Sequence, residues 1–148
     1  MLFVIFGESC TGKSTLAQKI AKEIPAEILT GKDYLRLAKN EDIARKLFVR
    51  KMQESVSGDN VIYVIADKEH LCLIPEGAVR ILVTADIETI KSRFAKRMGG
   101  NLPAPVATML ERNHGCFDTE LCDYHVNADD TDLGALVQQL RGVVCDLA

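Results

Sequence analysis

The chain has 148 residues, 47% of them hydrophobic and 26% charged, with a formal net charge of −3 at pH 7. That balance suits one globular domain over 1–148 with a sizeable apolar core, and it offers no broad basic surface for a nucleic acid polymer or an anionic membrane. The five cysteines, Cys10, Cys72, Cys116, Cys122 and Cys145, are odd in number and contain no CxxC pair. They argue against a disulfide framework or a zinc ribbon and for reduced thiols in the cytoplasm.

The opening run Leu2–Phe6 is apolar and rich in strand formers, the pattern of a buried parallel strand. It has neither the basic flank nor the length of an export signal, and no apolar run approaches a membrane span. After a glycine-bearing turn over Gly7–Lys13, residues Ser14–Glu23 carry Leu16, Ala17, Ile20 and Ala21 at helical spacing, and Pro25 ends the run. A short strand is expected over Glu27–Leu29. Residues from Asp33 to about Val56 have a helical pattern, with Leu35, Leu37, Ile43, Leu47 and Val49 as its apolar positions and a break near Asn40, where Asn-Glu-Asp looks like a cap. Ser57–Asn60 reads as a turn, Val61–Ile65 as a buried strand and Val79–Thr84 as a fourth strand. An amphipathic helix is expected over Asp86–Met98, with a break at Gly99–Pro105 and a further helix over Val106–Arg112. A fifth strand at Tyr124–Asn127 and a last helix from Asp132 to Val144 close the chain.

Strands alternate with helices throughout. The order predicts a three-layer α/β fold, with a five-stranded, mainly parallel sheet flanked by helices.

Gly7-Glu8-Ser9-Cys10-Thr11-Gly12-Lys13-Ser14 matches GxxxxGK[ST] at every fixed position. An apolar strand precedes the motif and an amphipathic helix follows it, the context a phosphate-binding loop requires. Glycines let the backbone curl until several N–H groups converge, and the helix N-terminus adds partial positive charge. Lys13 then reaches the β and γ phosphates, Ser14 offers a hydroxyl to Mg²⁺, and Thr15 adds a second hydroxyl. The expected ligand of Gly7–Thr15 is Mg-ATP. There is no Asn-Lys-x-Asp run of the kind that reads guanine.

Motif order beyond the loop resembles the P-loop kinases of nucleoside monophosphates and similar small molecules, most closely the cytidylate-kinase-like group. The resemblance implies a phosphoryl acceptor such as CMP or a related nucleoside, an acceptor region at about 30–60 and a short lid at about 97–118. Thr30-Gly31-Lys32-Asp33-Tyr34-Leu35-Arg36 resembles the family's Thr-Gly-Asp-x-x-Arg acceptor segment, with Lys32 inserted. Asp33 is then a base or positioning group and Arg36 an acceptor-phosphate ligand; equally, Asp33 caps a helix and Arg36 is solvated. Asp67, just past the third strand, stands where such proteins place a carboxylate that serves Mg²⁺ or the acceptor; equally, it is a surface turn acid. Its neighbour His70 reads as surface.

Arg93 and Arg97, four residues apart, share a helical face. With Arg112 they resemble the family's lid arginines, which neutralise charge on the transferring phosphoryl group; equally, Arg93 and Arg97 form a solvated basic helix face. Lys91 and Lys96 read as solvated. The loop Asn127–Asp130 is where the family backs the adenine. His114, Cys116 and His125 fit no zinc-ligand spacing. Two alternatives remain at this level: a nucleotide-binding module, and an NTPase whose acceptor is water.

Overall fold

The computed structural model describes residues 1–129 and 131–146; the Asp130 end of the expected adenine loop lies outside them. Five strands form one sheet: β1 (Leu2–Phe6), β2 (Glu27–Thr30), β3 (Val61–Ile65), β4 (Val79–Thr84) and β5 (Tyr124–Asn127). Their order is β2-β3-β1-β4-β5, and every pairing is parallel. The expected α/β sheet is therefore present, and it is wholly parallel. β1 is its middle strand, which explains why all five of its residues are buried.

The helices are α1 (Lys13–Glu23), α2 (Glu41–Val56), α3 (Ile87–Arg97), α4 (Ala104–Asn113) and α5 (Leu133–Asp146). Alternate residues of a strand face opposite sides of a sheet, and β1 shows the result. Phe3 and Ile5 pack with Leu16 and Ile20 of α1 and Leu136 and Leu140 of α5. Leu2, Val4 and Phe6 pack with Phe48 and Met52 of α2 and with Phe117. Each such side chain contributes roughly 1.5–3 kcal/mol on burial, so the central strand is held from both faces.

The stretch read as helical from Asp33 is divided. Asp33–Arg36 forms a short 3-10 helix, and α2 starts after Asn40, whose side chain accepts the Ile43 N–H at 3.1 Å. The core-facing stripe of α2 is Ala44-Phe48-Met52, spaced by four residues. Leu35, Leu37, Ile43 and Leu47, expected to supply apolar positions, are exposed. A second 3-10 helix, Lys68–Leu73, follows β3; one so short has too few turns to show a period in sequence.

α3 and α4 share a small apolar cluster of Ala85, Ile90 and Leu110, with Phe94, Leu102 and Val106 against it. Lys91, read as solvated, is instead half-buried and paired with Glu111, tying the two helices together. Among the described residues, no helix is long and apolar enough to cross a membrane.

Candidate active site

The phosphate loop leaves the C-terminal end of β1 and runs between its two neighbouring strands. The Gly7 N–H donates to Ile65 O of β3 at 3.2 Å. On the other side, a Cβ at Gly7 would lie 2.2 Å from Val83 O of β4. Glycine is required there by that approach. Further along, Cys10 (φ 63°) and Gly12 (φ 97°) adopt left-handed backbone, the alternation that turns a loop into a concave anion nest.

The loop is braced from within. The Thr11 hydroxyl, fully buried, donates to Glu8 O at 2.9 Å, and Lys13 Nζ donates to the same carbonyl at 2.5 Å. The Leu16 N–H is occupied by Gly12 O, whereas the N–H groups of Gly12, Lys13, Ser14 and Thr15 donate to no oxygen among the described residues. Unpaired N–H groups at a helix N-terminus, with an ammonium beside them, make an anion site. Burial lowers the pKa of Lys13 to about 8; the Arg97 charge acts in the same direction, while Cys10 and Glu8 oppose it. An arriving polyphosphate would restore the favoured charge.

A cavity of about 840 Å³ opens over this loop. Ser9 to Thr15 form its floor, Asp67, His70 and Gly31-Lys32 one wall, Arg93 and Arg97 another, and Val126, Ala128 and Leu133 a more apolar end. Arg93 also donates from Nη1 to Cys10 O at 3.3 Å, which docks α3 on the loop. Ser14 and Asp67 both line this space and are of the hard oxygen-donor types that Mg²⁺ takes, while Asp67 Oδ1 accepts the Glu69 N–H at 3.0 Å and caps the second 3-10 helix.

Not every residue expected at the site faces this cavity. Asp33 Oδ2 accepts the Thr30 N–H at 2.7 Å, and Oδ1 lies 3.8 Å from Arg36. Both residues stand outside the lining, and Asp33 holds the turn after β2. Arg112 is exposed at the end of α4, also away from the cavity. Glu8 turns its carboxylate from the cavity toward the segment after α4. There it accepts the Gly115 N–H at 3.2 Å and pairs with His114 Nδ1 at 3.1 Å.

Among the polar lining residues, Lys32 and His70 are not legible as site residues from the sequence. Lys32 appears in the sequence only as an insertion in the acceptor motif, and His70 reads as surface. The 3-10 helix turns His70 inward until it is only 7% exposed, although Asp67, Lys68 and Glu69 before it are exposed.

Solved structures similar to this chain were found along nearly its whole length. A sugar kinase from Janibacter sp. superposes with a TM-score of 0.61 at 18% identity, over 99% of this chain and 95% of its own. A shikimate kinase from Bacteroides thetaiotaomicron gives 0.61 at 17% identity, over 97% and 98%. A gluconokinase from Sinorhizobium meliloti gives 0.59 at 16% identity, over 99% and 92%. The fold is the P-loop kinase fold. A scan against protein-family models finds no match, and neither does a search of curated proteins. Within the P-loop kinase fold, the phosphate loop of this chain sits at the C-terminal ends of the parallel strands, where open α/β sheets place their ligands.

Proposed function

We propose that this protein is an ATP-dependent phosphotransferase acting on a small molecule. The observation that carries this reading is the single cavity in which Lys13, Arg93, Arg97 and Asp67 all converge. Its volume of about 840 Å³ falls within the range of small-molecule sites, roughly 300–1,000 Å³. ATP supplies the phosphoryl group. Lys13 and the free N–H groups of Gly12–Thr15 bind its phosphates. Ser14 and Asp67 would hold Mg²⁺. Arg93 and Arg97 neutralise charge that develops on the transferring group, so catalysis rests on positioning and electrostatics. Val126, Ala128 and Leu133 provide an apolar end for the adenine. Arg112 joins only if residues 97–118 close as a lid. The five free thiols suit a reducing, cytoplasmic setting.

Resemblance to the cytidylate-kinase-like group favours CMP or a related nucleoside as acceptor. The neighbouring folds are named for acceptors of another kind, sugars, gluconate and shikimate. Lys32 in the cavity wall suits an anionic acceptor of either sort. A mass-spectrometric screen with Mg-ATP, covering nucleosides, their monophosphates, sugars and small hydroxy acids, tests the reading. One acceptor should gain a phosphoryl group, and Lys13→Ala should abolish the gain. Unchanged turnover in Lys13→Ala would refute the mechanism.

One observation favours a second reading, a nucleotide-binding module or a simple NTPase. Asp33 and Arg36, the acceptor residues the motif suggests, lie outside the cavity lining. ATP binding with no acceptor-dependent ADP formation across the panel would select this reading.

A further inference from the structure

Among the described residues, one buried side-chain nitrogen or oxygen has no hydrogen-bond partner: Nδ1 of His70. The ring lines the cavity and is 7% exposed. Its Nδ1–Cε1 edge lies against Gly31, where an added Cβ would meet Nδ1 at 2.6 Å and Cε1 at 3.0 Å. Gly31 is held in turn by Tyr63, whose hydroxyl donates to Gly31 O at 2.9 Å. Tyr34 packs edge-on against the ring, with centroids 5.9 Å apart. The imidazole is thus fixed on two sides by elements that offer it no polar partner.

That placement selects a tautomer. A neutral imidazole carries one N–H and one lone pair. A buried N–H without an acceptor is rarer and more costly than a buried lone pair without a donor. The proton therefore resides on Nε2, and the Nδ1 lone pair faces Gly31. With Nδ1 closed off against Gly31, the Nε2–H is the polar group that the ring can offer to the cavity.

We propose that His70 Nε2–H is the acceptor-recognition donor of the site, hydrogen-bonding an oxygen of the molecule to be phosphorylated. The inference rests on the kinase reading. It places the acceptor against Gly31, Lys32 and His70, on the opposite side of the cavity from the adenine end. It also gives Gly31 a role: the absence of a side chain is what allows the ring to occupy its place.

The test starts without any acceptor. Long-range ¹H–¹⁵N spectra of the free protein should show His70 protonated at Nε2; protonation at Nδ1 overturns the proposal. The protein is then saturated with Mg-AMP-PNP and titrated separately with D-gluconate, shikimate and CMP. The Nε2 signal should move with at least one of them, and the responding compound distinguishes a carboxylate from a phosphate monoester. No movement with any of the three, while AMP-PNP binds, overturns the acceptor site and leaves nucleotide binding intact. Failure of AMP-PNP to bind sinks the kinase reading instead, and with it the acceptor role.

His70→Phe keeps a ring against Gly31 and removes the donor. It should raise the KM of the responding acceptor about tenfold or more while the KM for ATP stays within about twofold. His70→Gln, which can again present an N–H, should recover part of the loss. A fall in kcat with acceptor KM unchanged would overturn the recognition role. Gly31→Ala, which pushes the ring from behind, should reproduce the His70→Phe pattern.

Discussion

Lys13 carries the electrostatic signature of the phosphate loop. Its pKa is lowered to about 8 from a usual 10.5, chiefly by burial. Between those values the unfolded chain holds more protons than the folded one, so this residue's contribution makes stability rise with pH across that window. Polyphosphate binding reverses the effect, because a nearby anion favours the ammonium. Calorimetry of Mg-ATP binding in buffers of different ionisation enthalpy should therefore show proton uptake, small at about pH 7 and near half a proton at about pH 8. A buffer-independent heat at both values would mean that Lys13 is already fully charged in the free protein. Lys13→Ala should lower turnover by about a hundredfold or more. At Gly7 the argument is steric. A methyl 2.2 Å from Val83 O forces the loop or β4 to move, so Gly7→Ala should cost about 2–4 kcal/mol in denaturant unfolding. A variant as stable as the parent would mean that the loop shifts freely.

Among the elements, the strands and long helices were legible from sequence because burial imposes a period on them. β1 and β3 read as continuous apolar runs, as fully buried parallel strands must. The turn at Asn40 was legible through its cap, and Asn40→Ala should cost about 1 kcal/mol and fray the start of α2, measurable by thermal unfolding. What escaped was local. Six residues of 3-10 helix after β3 decide where His70 points, yet they carry no periodic signal. Asp33 matches a motif by type, but its carboxylate is engaged by the Thr30 N–H, a partner that depends on backbone geometry rather than on composition. α3 was legible as an amphipathic helix, and its Arg93 and Arg97 do line the cavity. Arg93→Ala and Arg97→Ala should each lower kcat by roughly a hundredfold. Arg93→Ala should weaken ATP binding as well, because Arg93 also bonds the loop at Cys10 O.

The whole molecule is organised around its middle strand, which feeds the phosphate loop while hydrophobic clusters press on it from both sides of the sheet. The loop is also attached to the far end of α4. A single carboxylate, that of Glu8, holds the Gly115 amide and the His114 ring. If a triphosphate shifts the Glu8 carboxylate, the effect should reach a stretch of chain more than a hundred positions downstream, and by reciprocity anything that grips that stretch should then alter affinity at the loop. Amide exchange around Gly115 should thus report nucleotide occupancy from outside the cavity, and Glu8→Ala should leave that distant reporter deaf to the nucleotide.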